Sequence, residues 1–313
     1  MLILAITVLL MAASGIAVWF AALRWSAGQW VPQVDAAHIR TEVRRHPRLA
    51  AAAASRLDPA SATGLALTAA SVVVIVGIVG FGLLALMVRS NLGFARFDLA
   101  IARFAARHAG ATSTTVLRIF TQLGGSLVLV PLAVVVAIVV ARRHRFPPVF
   151  GFLFVTVGGQ YLVVNLIKWI VDRARPDIDR LTGFSGPSFP SGHAAAAAAG
   201  FAAFALLLGL GRSSRVKAGF TALAVALAVG IAGTRVFLGV HWLTDVLGGL
   251  ALGWAWFALA SIAFGGRLLR FGAPAEQAER VVEAEVEGAE RPPAGHRGHR
   301  SSGLDDGVRS GQS

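Results

Sequence analysis

Residues 190–264 read PSGHAAAAAAGFAAFALLLGLGRSSRVKAGFTALAVALAVGIAGTRVFLGVHWLTDVLGGLALGWAWFALASIAF. Three apolar runs lie here, 191–211, 215–235 and 241–264, each close to the ~20 residues that cross a bilayer as a helix. Their polar residues sit almost wholly at the ends. Hydrocarbon offers an open strand edge no hydrogen-bond partner, so such runs are read as helices. The same pattern recurs at 2–23, 64–88, 122–141 and 147–171. Seven crossings are therefore predicted, in an all-α, polytopic membrane helical bundle. Composition agrees: 56% of residues are hydrophobic, only 14% are charged, and mean hydropathy is +0.68, far from the values of a soluble enzyme.

Cysteine is absent, which excludes disulfides, thiolate metal sites and a cysteine nucleophile. The net charge of +13 comes almost wholly from arginine between the apolar runs. Membrane topology accounts for it better than nucleic acid, since no nucleic-acid motif accompanies it. The expected partner is the bilayer, with no nucleic acid.

The first run has no basic residue ahead of it and Arg24 behind it, so it reads as a retained helix rather than a cleaved signal. Arg24, Arg40, Arg44, Arg45, Arg48 and Arg56 place the 24–63 loop in the cytoplasm. Counting onward puts Arg142, Arg143 and Arg145 inside as well, with Arg212, Arg215, Lys217 and the tail from Arg267. The N-terminus, the 89–121 and 172–190 loops and the 236–240 turn then fall outside. The 89–121 loop resists, because it carries Arg89, Arg96, Arg103, Arg107 and Arg118. Phe94, Phe97, Ile101, Phe104 and Ala105 recur there at helical spacing, which predicts an amphipathic helix lying at the outer interface.

The domain reading is an N-terminal transmembrane helix (1–23), a basic cytoplasmic loop (24–63), a six-helix membrane domain (64–267) and a cytoplasmic tail (268–313). The tail is acidic, then rich in Gly, Ser and Arg, and is expected to be disordered. The six-alanine run 194–199 with Gly200, and Gly249 with Gly253, predict closely packed helix faces. Gln160 and Asn165 predict hydrogen bonds between helices.

Three short segments carry the chemistry. They are Lys168, six residues, Arg175-Pro176; then Pro190-Ser191-Gly192-His193; then Thr234-Arg235, five residues, His241, three residues, Asp245. All lie at ends of runs that the charge count puts on one side. His241 and Asp245 sit one helical turn apart. The carboxylate can take the imidazole N–H, fix the tautomer and leave the other lone pair free for attack. A buried polar pair satisfying itself is the plain alternative. Lys168 and Arg175 point the same way if their helix continues to Pro176, though alone they read as interfacial anchors. Arg235 has the same two readings. Ser191 can cap a helix whose N-terminus favours a phosphate. Gly192 lets the backbone approach, and His193 on the first turn can protonate a leaving oxygen. This inventory suits attack on a phosphate ester and needs neither metal nor cofactor.

The segments resemble the signature of the type 2 phosphatidic acid phosphatase family, in the superfamily that also holds bacterial acid phosphatases and vanadium haloperoxidases. That signature is Lys-x6-Arg-Pro, Pro-Ser-Gly-His and Ser-Arg-x5-His-x3-Asp. The match is complete except for Thr234 in place of serine, which keeps the hydroxyl. The resemblance spans about 64–264 and implies an integral membrane lipid phosphatase with a six-helix core. By that resemblance His241 attacks phosphorus to form a phosphohistidine, Asp245 holds it, and His193 protonates the leaving group. Lys168, Arg175, Ser191, Gly192 and Arg235 bind the phosphoryl oxygens. The implied substrate is a polyprenyl diphosphate such as undecaprenyl diphosphate, narrowly ahead of phosphatidic acid or phosphatidylglycerol phosphate, at the extracytoplasmic face. Two other classes compete, a vanadate-dependent haloperoxidase and a non-enzymatic lipid carrier or scaffold. The membrane setting argues against the first, and the intact histidines and cations argue against the second.

Overall fold

The computed structural model of the chain describes residues 1–26, 62–90, 92–93, 95–142, 146–178, 180–183 and 186–264. Most of the 24–63 loop, Phe94, Arg143, Arg145 and the tail lie outside the described residues. The chain is an all-α membrane bundle. Its helices are α1 (Leu2–Ser26), α2 (Ala62–Ser90), α3 (Ala95–Arg107), α4 (Ala111–Thr121), α5 (Ser126–Ala141), α6 (Phe146–Leu153), α7 (Gly159–Val171), α8 (Gly192–Leu208) and α9 (Ser214–Phe237), then α10 (Leu243–Phe264).

Among the described residues five paths are long and apolar enough to cross a bilayer: α1, α2, the joined α6–α7, α9 and α10. The run expected at 191–211 is the shorter α8. The run expected at 122–141 starts earlier, as Ala111–Gly124 and Ser126–Ala141 form one path bent by 48°. The bend sits where the backbone turns extended at Gly125. A Cβ on Gly124 would stand 2.7 Å from Ile231 and 3.0 Å from the His193 carbonyl, so the corner closes only because it is glycine.

At the centre stands α8, where each residue of the 194–199 alanine run is at most 1% exposed. Side chains this small let neighbouring helices approach to backbone contact. A Cβ on Gly253 of α10 would sit 2.4 Å from the Ala195 carbonyl, and one on Gly249 would sit 2.6 Å from the Ser191 carbonyl. Leu129 of α5 meets Gly200 in the same manner. The expected close-packing faces are real. Helix α1 lies along α9, with Gly15 against Ala222, Trp19 against Gly219 and Met11 against Gly230.

Between α6 and α7 the helix makes a five-residue π turn, Phe154–Gly158. Trp256 Nε1 donates to the Val155 carbonyl at 3.1 Å, and Thr156 Oγ1 donates to the Phe152 carbonyl at 2.7 Å. Two polar expectations fail here. Gln160 is buried and its amide finds no hydrogen-bond partner among the described residues. Asn165 Nδ2 donates to Tyr161 on its own helix, because it faces outward rather than toward a neighbour.

One end of the bundle collects the irregular segments. Ile3, Ala105, Leu117, Phe237, Leu238 and Val240 form a small core there, joining α1, α3, α4 and the turn after α9. The expected amphipathic helix exists as α3, but its buried face is Ala95, Asp98, Ala102 and Ala105. Phe97 points away, 58% exposed. Leu181 lies back over this end, its N–H donating to the Leu238 carbonyl at 3.0 Å.

Candidate active site

Every sequence-selected site residue lies at this end. Lys168 is in the last turn of α7 and Arg235 in the last turn of α9. Ser191 and Gly192 open α8. His241 lies in the turn before α10, and Asp245 lies in its first turn. Two local expectations need correction. Helix α7 does not run to Pro176: it stops at Val171, where Asp172 turns left-handed (φ 43) and its N–H closes on the Lys168 carbonyl. Lys168 and Arg175 therefore converge through the fold of the loop, not along one helix face. His241 likewise precedes the helix, and Asp245 Oδ2 caps the helix start by accepting from Trp242 N at 2.9 Å.

The histidine is held from both sides. Its Nδ1 lies 3.3 Å from Asp245 Oδ2, and its Nε2 lies 3.1 Å from Arg175 Nη1. A guanidinium can only donate, and an ionised carboxylate can only accept. Nδ1 therefore carries the proton and Nε2 the lone pair, which is the tautomer that can attack. His241 is 3% exposed. Burial pushes its pKa down to about 4, against the opposing pull of Asp245, so it is neutral at neutral pH.

Around it stand the cations. Arg175 also donates to the Gly186 and Val240 carbonyls, at 2.9 and 2.8 Å, and shares the Pro187 carbonyl with Lys168. Arg235 Nη1 donates to Thr121 Oγ1 at 3.2 Å, which fixes the guanidinium under α4. Lys168, Arg175, Arg235 and His241 all lie within electrostatic reach of His193. The His193 ring flanks the α4–α5 corner, its Nε2 3.5 Å from where a Cβ on Gly125 would stand.

Two buried polar atoms stand out. Among the described residues Ser191 Oγ and Arg235 Nε have no hydrogen-bond partner, and their residues are 0% and 5% exposed. Ser191 sits at the cap position but makes no side-chain cap bond, contrary to expectation. Its backbone N–H instead donates to the Asp245 carbonyl at 2.9 Å, tying the start of α8 to the start of α10. Leaving such atoms unpaired costs about 1–3 kcal/mol each, and both belong to residues around His241. Thr234 is different, because its hydroxyl is spent on the Ile231 carbonyl at 2.6 Å.

Sequence reasoning missed Asp98, Arg173 and Thr244. Arg173 bonds Asp245, Asp98 and Thr244 at 2.6–2.7 Å. Asp98 is the only acidic residue between 64 and 171, which was the one signal available.

This end of the bundle thus gathers a neutral, tautomer-fixed histidine, cations and donors left unpaired among the described residues, an arrangement whose charge suits an oxyanion. The chain belongs to the PAP2 superfamily, whose profile matches residues 149–268. It is 42% identical over 119 residues to the lipid A 1-phosphatase of Rhizobium etli, covering 35% of this chain and 47% of that protein. It is 36% identical over 155 residues to phosphatidylglycerophosphatase B of Bacillus subtilis, covering 48% of this chain and 74% of that one. The chain thus spans about half the length of the first relative and three quarters of the second. In structure it resembles the transmembrane PAP2-type phosphatidylglycerolphosphate phosphatase of Bacillus subtilis, with TM-score 0.58 and 31% identity. That likeness covers 62% of this chain and 96% of the other.

Proposed function

We propose that the protein is a lipid-phosphate phosphatase of the membrane, acting at the extracytoplasmic face through a phosphohistidine. The two-sided grip on His241 carries this reading: Asp245 and Arg175 together leave Nε2 as the lone pair. Nε2 forms the bond to phosphorus as the bond to the leaving oxygen breaks, and His193 gives that oxygen its proton. Water then attacks the phosphohistidine, giving its proton to the now neutral His193 as the P–N bond breaks and frees His241. Arg175 passes its N–H from Nε2 to a phosphoryl oxygen. Lys168, Arg235, Ser191 Oγ and the Gly192 N–H hold the others, so the unpaired donors find acceptors. Fixed donors aimed at developing charge supply most of the rate in phosphoryl transfer. The surrounding donors are cationic, which favours an anion and disfavours a metal ion. No cofactor enters.

The exposed apolar faces of α2, with Ile75, Val76, Ile78 and Val79 all at least 55% exposed, suit a lipid surrounding and a lipid substrate. The named activities of both curated relatives concern lipid phosphates, which supports that class. Within it we favour a polyprenyl diphosphate or a phosphomonoester on a glycerolipid or lipid A. The test is phosphate release by detergent-purified protein with chelator present, on undecaprenyl diphosphate, phosphatidic acid, phosphatidylglycerol phosphate and lipid A. Chelator-resistant release, ranked across the panel, is expected and names the substrate. Folded protein releasing none would turn the reading toward a lipid carrier or scaffold.

The depressed pKa of His241 predicts an unusual pH profile. An ordinary histidine loses its lone pair to a proton near 6.5. His241 keeps its lone pair until the pH falls toward about 4. With rates referred to the substrate dianion, the acidic limb of kcat/KM, which reports the free enzyme's base, is expected below about pH 5 instead of near 6.5. An acidic limb at 6.5 would contradict the buried, neutral nucleophile.

A further inference from the structure

We propose that Arg173 is a positioning residue of this reaction, clamping the carboxylate that orients His241 and anchored in turn by Asp98 of α3. The inference rests on the functional reading above but concerns residues outside its phosphate-binding set.

The two oxygens of Asp245 have separate partners. Oδ2 faces His241 Nδ1 at 3.3 Å and accepts from Trp242 N at 2.9 Å. Oδ1 takes Arg173 Nη1 at 2.6 Å. A carboxylate held through one oxygen can rotate about its Cβ–Cγ bond. Held through both, its plane is fixed, and with it the direction of the imidazole. Nη1 also donates to Thr244 Oγ1 at 2.7 Å, and the guanidinium lies 5.4 Å from the Trp242 ring centroid.

The far side of the clamp is Asp98. Its Oδ2 takes Arg173 Nη2 at 2.7 Å and Thr244 Oγ1 at 2.6 Å, while Oδ1 accepts Thr244 N at 3.0 Å. Asp98 is 3% exposed and Asp245 0%. Two carboxylates so buried need a cation, and a buried charge left unpaired is strongly destabilising. One planar guanidinium serves both, which a lysine's point charge cannot do. Among the described residues, all side-chain hydrogen bonds of Arg173 go to Asp98, Thr244 and Asp245, and none reaches the histidines. It acts through Asp245 and not on phosphate.

A double-mutant cycle on the full-length protein in detergent, using the best substrate of the panel, tests this. Arg173→Gln is expected to lower kcat about a hundredfold and leave KM within about threefold, the signature of a lost geometry rather than a lost phosphate contact. In an Asp245→Asn background the same change is expected to move kcat by less than about threefold, because the two act as a unit. Arg173→Lys should fall between, losing about tenfold, since it keeps the charge without the fork. Additive losses, or a raised KM at constant kcat, would overturn the clamp. The 15N shifts of the His241 imidazole give a reading independent of turnover and of wild-type activity. The proton is expected on Nδ1 in wild type, with a mixture of tautomers in Arg173→Gln. An unchanged tautomer in folded Arg173→Gln would sink the inference even if the enzyme proves active, whereas an inactive wild type with a shifted tautomer would sink only the phosphatase reading.

Discussion

Replacing His241 by alanine is expected to remove phosphate release, by a thousandfold or more. On the proposed chemistry no other group can take its place, because its Nε2 is the lone pair fixed by Asp245 and Arg175. A thousandfold loss is about 4 kcal/mol of barrier, a sum that a single lost hydrogen bond does not reach. The measurement is initial rate under saturating substrate, paired with labelling by substrate carrying radioactive phosphate and quenched in alkaline detergent. Wild type should trap label in an acid-labile, base-stable bond, and His241→Ala should trap none. His193→Ala separates the two steps. With p-nitrophenyl phosphate, whose leaving group departs unprotonated, labelled enzyme should accumulate, since His193 is then missing only from the hydrolysis step. Equal label in His241→Ala and wild type would remove the phosphohistidine from the mechanism.

The second large effect is structural. Gly253→Val is expected to prevent the protein from accumulating folded. Its Cβ would stand 2.4 Å from the Ala195 carbonyl and 2.8 Å from the Ala198 Cβ, both on the central helix. Neither is the loose end of a long side chain, so α10 must move away from α8. Overpacking costs about 1–3 kcal/mol even where neighbours can adjust, and here the obstruction is backbone. The displacement also reaches the site, since Ser191 N is bonded to the Asp245 carbonyl across the same seam. Yield in membranes and the unfolding midpoint in detergent read the effect. Gly80→Val and Gly82→Val are the controls, because a Cβ there meets nothing within 4 Å. Matching behaviour of Gly253→Val and these controls would show that the seam is looser than the distances state.

What was legible in the chain followed from local chemistry. Apolar runs gave the helices, since hydrocarbon permits little else. The alanine run beside Gly249 and Gly253 gave the packing seam. Spaced motifs named residues that the structure does bring to one end. The misses each needed three dimensions. Asp172 in the left-handed region ends α7, yet nothing before it in sequence marks a stop. The bent path at 111–141 was hidden because Gln122, Leu123, Gly124 and Gly125 merge into the following apolar run, although two adjacent glycines were a usable sign. Asp98 and Arg173 are 75 residues apart, and periodicity cannot register a pairing across that distance. Only the sparseness of carboxylates could have drawn attention to Asp98.

The π turn at Phe154–Gly158 has a consequence in phase. Such a turn absorbs an extra residue within an otherwise regular helix, and each residue of a helix advances the azimuth by about 100°. Everything after it is therefore rotated by roughly that angle relative to an unbroken helix. Lys168 lies a few turns on, in the last turn of α7. Its bearing on the site is thus set not at position 168 but upstream, by a turn whose Val155 carbonyl is held by the Trp256 indole. A chain shortened by one residue there would keep its span and its hydrophobicity, and would aim its lysine at the lipid.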